Sequence, residues 1–391
     1  AAIYRDGGAP GYAGPARDLR GQFVLPGLID AHVHSWGNMA PGPRLAAFGT
    51  KEAGRRMLYA GVTGFLDLFS EENQILRLRD RQRREGLFTA DIYCAGPILT
   101  CSGGHGTEYG IPTRTVDTPA QARVEVLDLA ARRPDVVKLV YDHAPYRMPS
   151  MDRPTMQAII QTADSLGLKT VAHVGSWTDV YEVVQAGVTA FTHLPDGPLP
   201  DSVLALLQAR RPWIIPTLTV QSDFYHLVSQ PELLDRPLLQ GVALPGMIDA
   251  YRDSNRMEIQ LRRWLAYQRA MALDMEASLR RLHQAGLPML AGTDAGNPGT
   301  FHGWSLHREL TLLVAHGLSP WEALAAASTR AGDFLGQPIG LSPGATANLL
   351  ILGASPIEDI RHTEAITGVV YRGQWVDREA LRAGPPATGG P

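Results

Sequence analysis

The chain has 391 residues, of which 45% are hydrophobic and 19% charged. That is enough apolar material for a large core and the reverse of a disordered composition. The 36 basic and 39 acidic residues leave a net charge of −3, which argues against nucleic acid as the main partner, because phosphate binding needs a basic face.

The first 24 residues, ending in Arg20-Gly-Gln-Phe-Val, have the flavour of short strands. Eight apolar runs follow: Leu25–His34, Gly61–Leu68, Thr89–Leu99, Asp135–Tyr141, Lys169–Val174, Val188–Leu194, Trp213–Val220 and Pro288–Asp294. They are rich in Val, Ile, Leu and Thr and too short for helices, so they read as buried parallel strands. Helical patterns lie between them, as at Thr118–Arg132, Arg153–Leu166 and Pro200–Ala209. Thr118-Pro119 and Ser319-Pro320 have the form of an N-cap followed by N1 proline. Gly61, Gly86, Gly167, Gly187, Gly286 and Gly317 stand where C′ glycines stop helices.

Eight strand–helix units predict a (β/α)8 TIM barrel over residues 25–339. The connection after strand seven, residues 221–284, is long; it reads equally as a lid or specificity element and as a helical buttress. Residues 340–383 return to short strands, Leu349–Leu352 and Thr367–Tyr371. With residues 1–24 they are expected to form a small β-sandwich domain, and Gly384–Pro391 a disordered tail. Cys94 and Cys101 are too few for a disulfide scaffold or a cysteine-rich zinc site and read as free thiols. No run approaches the ~20 apolar residues that span a bilayer, and no signal peptide is visible. The expected compartment is the cytoplasm, or the periplasm or exterior if a leader preceding Ala1 has been removed.

Of the 36 basic residues only Lys51, Lys138 and Lys169 are lysines, leaving 33 arginines. Lys138 sits inside an apolar strand, where an ammonium is costly to bury without a partner, so that position calls for lysine chemistry. His32 and His34 close strand one; the one-residue gap puts both imidazoles on one face. His173 ends strand five, His193 strand six and Asp294 strand eight. All fall at the carboxyl ends of the strands, where barrel active sites form. Four histidines and an aspartate make the N/O donor set preferred by Zn²⁺, with Mn, Co and Fe also suited. No Gly-x-Ser-x-Gly elbow is present, which disfavours a serine hydrolase.

These residues carry a resemblance. Leu25-Pro-Gly-Leu-Ile-Asp-Ala-His-Val-His, Lys138, His173, His193 and Gly292-Thr-Asp294 resemble the binuclear branch of the amidohydrolase superfamily, notably its Xaa-Pro dipeptidase and imidazolonepropionase-like members. His302-Gly, His307-Arg-Glu-Leu, Gly317-Leu-Ser-Pro-Trp-Glu-Ala-Leu and Ala347-Asn-Leu-Leu extend the likeness over nearly the whole chain. Asn348 departs from the usual aspartate there, at a structural position, and the segment before Pro26 is shorter than is usual.

The resemblance implies two divalent metal ions. His32, His34 and Asp294 would hold the more buried one and His173 and His193 the more exposed one, with a carbamylated Lys138 bridging them. A shared hydroxide would attack the scissile carbonyl, and Asp294, the catalytic residue, would pass its proton to the leaving nitrogen. The implied activity is hydrolysis of a C–N amide bond in a small-molecule substrate, a dipeptide or N-acyl amino acid. The alternative is a lactone, carboxyl ester or organophosphate ester at the same site. An imidazolone hydrolase or deaminase is disfavoured by Lys138, and a dead scaffold by the complete ligand set. Relatives are often dimers or larger, so a homo-oligomer is compatible.

The candidate substrate-binding residues are His105 in the Gly-rich loop after strand three, Tyr141 three residues beyond Lys138, and Tyr225 beyond strand seven. His302 and His307 are assigned to helix capping. Arg252, Arg256, Arg262 and Arg263 form a conceivable carboxylate clamp, while Tyr251, Met257 and Trp264 read as packing.

Overall fold

A computed structural model describes residues 16–39, 45–144, 148–244, 246–253 and 259–382. The predicted tail Gly384–Pro391, most of the first 24 residues, Arg256 and Met257 lie outside the described residues.

The chain enters along β1 (Phe23–Pro26) and continues into β2 (Leu28–Val33), every residue of which is buried. Gly27 separates them because a Cβ there would stand 2.3 Å from the Thr63 hydroxyl oxygen. The short hairpin β3 (Gly37–Met39) and β4 (Leu45–Ala47) follows, then α1 (Thr50–Tyr59), β5 (Val62–Asp67), α2 (Glu72–Glu85) and β6 (Asp91–Cys94). β2, β5 and β6 form a parallel sheet.

The strand predicted over Thr89–Leu99 is broken in two at Gly96-Pro97. Gly96 adopts φ 81°, and the strand resumes as β7 (Ile98–Thr100), which pairs with β9 instead of β5. β8 (Arg114–Thr115), α3 (Pro119–Ala131), β9 (Val137–Tyr141), α4 (Arg153–Ser165), β10 (Thr170–Val174), α5 (Trp177–Ala186), β11 (Ala190–Thr192), α6 (Asp201–Arg210) and β12 (Trp213–Ile215) complete a second parallel sheet, ordered β12-β11-β10-β9-β7-β8.

The seventh strand ends five residues sooner than Val220, since α7 (Leu218–Ser229) begins immediately after it. α8 (Pro237–Val242), α9 (Met247–Arg252) and α10 (Ile259–Gln284) occupy the long connection. Segment 288–295, predicted as strand eight, is held by single bridges, from Met289 to Ile214 and from Ala295 to Val33. Its backbone bonds reach β12 (Leu290 N–H to Ile214 O, 2.9 Å) and β2 (Ala31 N–H to Ala291 O, 2.9 Å). Gly292 permits that approach: a Cβ would lie 2.5 Å from Ile215 Cγ2 and 2.9 Å from the His32 nitrogen.

The architecture is thus a TIM-barrel-like α/β fold. α11 (Trp304–Ala315), α12 (Pro320–Ala326) and α13 (Thr329–Leu335) follow. Thr118 caps α3, and Ser319 with Glu322 forms a capping box on α12. The six C′ glycines all take positive φ, as the stop signals require.

β13 (Leu349–Leu352), β14 (Ile366–Tyr371) and β15 (Gln374–Trp375) join β1 in one four-stranded antiparallel sheet that unites the two ends of the chain, before α14 (Arg378–Arg382). Among the described residues this is a single sheet in place of the expected sandwich. Leu350, Leu352 and Val369 on its inner face join the main core, leaving the outer face with Val24 and Leu19. Asn348 is structural: its side chain donates to Asp91 at 3.1 Å and accepts the Arg372 N–H at 2.7 Å. Cys94 and Cys101 are buried and free. Among the described residues no helix is long and apolar enough to cross a membrane.

Candidate metal centre

Strand alternation turns Asp30, His32 and His34 to one face of β2. Asp30 lies beneath the imidazoles and ties β2 to segment 288–295. Its carboxylate accepts the His32 N–H (3.2 Å), the Thr293 N–H (3.0 Å) and the Thr293 hydroxyl (2.7 Å). Burial pushes that carboxyl up to about 7. Asp294, one residue on, stands at φ 58°, a left-handed backbone costly for a non-glycine. Its Oδ1 lies 2.8 Å from His34 Nε2 and 3.2 Å from His32 Nε2. The donor atoms of the three side chains fall within 4.8 Å of one another.

Both ring nitrogens of His32, His34 Nδ1 and Asp294 Oδ1 are buried without a hydrogen-bond partner. Orphaned buried polar atoms are rare in native proteins, and two of these, His32 Nε2 and Asp294 Oδ1, stand only 3.2 Å apart, a pairing that a cation would satisfy. Burial acts to raise the Asp294 carboxyl, but the His34 ring beside it outweighs that and holds it well below the usual carboxylate range.

The opposite flank is built from β9, β10 and the end of β11. Lys138 is 2% exposed, and its Nζ donates to Thr192 Oγ1 at 3.1 Å. Burial lowers its ammonium to about 7, against the pull of Asp294. The His173 and His193 rings lie 4.5 Å apart, and His193 lies 5.4 Å from His32. His193, at φ 76°, meets the Thr217 hydroxyl through Nδ1 at 2.7 Å. That hydroxyl donates to the Pro216 carbonyl (2.7 Å), so Nδ1 carries the imidazole proton and Nε2 keeps its lone pair. His173 Nε2 sits 3.3 Å from Asp142 Oδ2. Burial drives His32 and His193 far below the ordinary histidine range, which keeps them neutral, the form that binds metal.

All six predicted ligands line one cavity, together with His105. His105 pairs with Glu108 (2.6 Å), and its ring lies 4.8 Å from that of His173, tilted by 43°. The other two substrate candidates do not line it. The alternation that turns Lys138 and Val140 inward turns Tyr141 outward, where its hydroxyl donates to Glu182. Tyr225 lies on α7 with its N–H on Gln268 (3.0 Å), and Gln268 lines the cavity instead.

Arg252 is engaged with Asp235, while Arg262 and Arg263 are exposed and away from the cavity. Tyr251 is buried and accepts the Gly299 N–H; the side chain of Trp264 lies outside the described residues. His302 and His307 are buried and bond to the His34 and Ala60 carbonyls, respectively, rather than reaching the cavity.

Sequence reasoning missed the aromatic wall of Trp36, Phe69 and Tyr109. It also missed the rim pair in which Tyr267 donates to Asp196 (2.6 Å). The supports Asp142 and Thr217 were missed too. Asp30 alone carried a signal, its place two residues before His32.

Imidazoles and a carboxylate at the carboxyl ends of barrel-like strands, with a lysine of β9 lining the same cavity, define a metal-dependent hydrolase. The model of the amidohydrolase family matches residues 23–376, and the chain belongs to that family.

An uncharacterized protein of Mycobacterium tuberculosis (strain ATCC 25618 / H37Rv) is 25% identical over 352 residues, 88% of this chain and 82% of the relative. A putative prolidase from Bifidobacterium longum superposes with a TM-score of 0.70 at 26% identity, covering 93% of this chain and 85% of that one. A Xaa-Pro dipeptidase crystallised with methionine in its active site gives a TM-score of 0.73 at 19% identity, covering 92% and 88%.

Proposed function

We propose that the protein hydrolyses a C–N amide bond in a dipeptide-like or N-acyl amino acid substrate. The observation that carries this reading is the set of orphaned, mutually close donors on His32, His34 and Asp294. In it, those three residues would hold one divalent ion and His173 and His193 a second, with Lys138 between them. When bound, the ions supply Lewis-acid polarisation of the substrate carbonyl and activation of a water. Zn²⁺ suits the donor set best.

The chain's own residues do the rest. The Lys138 amine, neutral above about pH 7, attacks the carbon of CO₂; a C–N bond forms, a proton is released, and the product is a carbamate anion. This answers why a lysine stands in a buried strand: its modified form is an anion among cations. Asp294, ionised at neutral pH, accepts a proton from the attacking water and delivers it to the leaving nitrogen, so the amine departs neutral. Thr217 fixes the His193 tautomer through Nδ1. His105 lies at the cavity wall with Nδ1 on Glu108, where the ring can meet a polar group of the substrate. In the same reading, the two parallel sheets close through segment 288–295 into one (β/α)8 barrel over residues 25–339, and the terminal segments form a separate small β domain.

The test is a panel of Xaa-Pro and other dipeptides, N-acyl amino acids, lactones and a phosphotriester, given to the metal-loaded protein with metal content measured alongside. Cleavage of the amides, abolished by a chelator, is the expected result. Turnover of the esters, lactones or phosphotriester alone would replace the substrate class while keeping the site.

A further inference from the structure

Three non-glycine residues at the centre or beside it hold left-handed backbones: His193 (φ 76°), Thr217 (φ 53°) and Asp294 (φ 58°). Such conformations persist only where the surroundings over-determine them. Behind them lies Glu309 on α11, with no solvent exposure. Its Oε1 accepts the Leu218 N–H at 3.0 Å and its Oε2 the Thr219 N–H at 2.8 Å. Glu309 therefore caps the first turn of α7 and fixes the peptides that follow Thr217, the residue that orients His193.

The Thr219 hydroxyl extends this contact to the other flank. Its Oγ1 lies 3.0 Å from Glu309 Oε2 and 3.1 Å from the carbonyl oxygen of Thr293, the residue before Asp294. A hydroxyl has one hydrogen and two lone pairs. Were Glu309 ionised, that hydrogen could serve only one of the two acceptors: given to Oε2 it leaves the Thr293 carbonyl without it, and given to that carbonyl it leaves Oγ1 and Oε2 in contact at 3.0 Å with no proton between them. A proton on Oε2 satisfies every group: Glu309 donates to Thr219 Oγ1, Thr219 donates to the Thr293 carbonyl, and Oε2 still accepts the Thr219 N–H.

The setting agrees. Burial pushes the Glu309 carboxyl up to about 8 against the pull of its hydrogen bonds, and Asp30 on β2 adds to the rise. Arg308, its neighbour on α11, is engaged by both oxygens of Asp223 on α7, which also holds His226. The Thr293 N–H and hydroxyl are already on Asp30, so Thr219 supplies the remaining constraint on that residue.

We propose that Glu309 is a positioning residue, held as a neutral carboxylic acid, whose proton links α7 to the segment carrying Asp294 and so keeps the two flanks of the centre in register. This rests on the assignment of His193 and Asp294 as ligands.

The test uses the metal-loaded enzyme and the variants Glu309→Gln, Thr219→Val and Thr219→Ser. The infrared difference spectrum of parent minus Glu309→Gln at pH 7 is expected to hold the carbonyl band of a protonated carboxylic acid. Thr219→Val keeps both backbone caps and loses only the link. Its kcat and its zinc affinity in chelator competition are each expected to fall about tenfold, the worth of one hydrogen bond, with KM within about twofold, and Thr219→Ser is expected to restore both. Absence of the band, or parental kcat and zinc affinity in Thr219→Val, overturns the proposal. If Glu309→Gln does not fold, the Thr219 pair decides. If no amide in the panel is cleaved, zinc affinity and the infrared band still judge Glu309 separately from the substrate reading.

Discussion

The two flanks of the cavity are built differently. On the β2 side, His32, His34 and Asp294 crowd their donor atoms together, and four of their polar atoms have no hydrogen bond. On the β10–β11 side, His173 and His193 each have a carboxylate or hydroxyl behind the ring, at 3.3 Å and 2.7 Å. The first flank is a cluster of donors with nothing between them; the second is a pair of aimed rings. Burying unpaired polar groups costs free energy, and a cation would recover more of it on the first flank. The tighter site is therefore expected at His32, His34 and Asp294 and the weaker at His173 and His193, with Lys138 shared.

The largest expected effect comes from the tight flank. Asp294→Asn removes both a ligand and the proton acceptor, so kcat should drop by about 10²–10⁴-fold, the range of general acid–base catalysis. His173→Ala should lower metal content from two ions to one and leave the first in place; loss of both ions together would erase the distinction between the flanks. Lys138→Ala is expected to lose at least one metal and most activity. Two metals and full rate in that variant would remove the carbamate from the account.

A smaller effect concerns pH. The Lys138 ammonium is lowered from its ordinary value to about 7, so the amine is protonated below that pH and neutral above it. Reloading of metal-free protein with zinc at a fixed CO₂ partial pressure should therefore rise as pH passes upward through about 7. A reloading rate flat from pH 6 to 8 would show that carbamate formation does not gate the bridging position.

The smallest effects are expected where the cavity is not. Tyr141→Phe and Tyr225→Phe should leave kcat/KM within about twofold. Tyr141→Phe should lose about 1 kcal/mol of stability through its bond to Glu182, visible as a lowered Tm. A tenfold rise in KM for either variant would return that tyrosine to the substrate wall.

Much of the centre was legible because it obeys local rules. His32 and His34 share a face by the period of two, His173, His193 and Asp294 close apolar runs, and Lys138 stands out as a lysine inside one. The same period already separated Lys138 from Tyr141, which stand an odd number of residues apart and so face opposite sides. Strand eight was legible as a run but not as a bridged segment, since that depends on how closely Gly292 meets His32 and Ile215. Thr217, Thr219 and Glu309 were not legible at all. Glu309 meets Leu218 and Thr219 about 90 positions away, Thr219 meets Thr293 74 positions on and Thr217 meets His193 24 positions back, contacts made by packing that no local pattern encodes. The aromatic wall and the Tyr267–Asp196 pair belong to the same class.

The most direct test of the central claim is anomalous diffraction from crystals of the zinc-loaded protein. The account predicts two ions per chain, one bound by His32, His34 and Asp294 and one by His173 and His193, with carbamate density on Lys138 between them. A single ion, or zinc bound away from His32, His34 and Asp294, would contradict it.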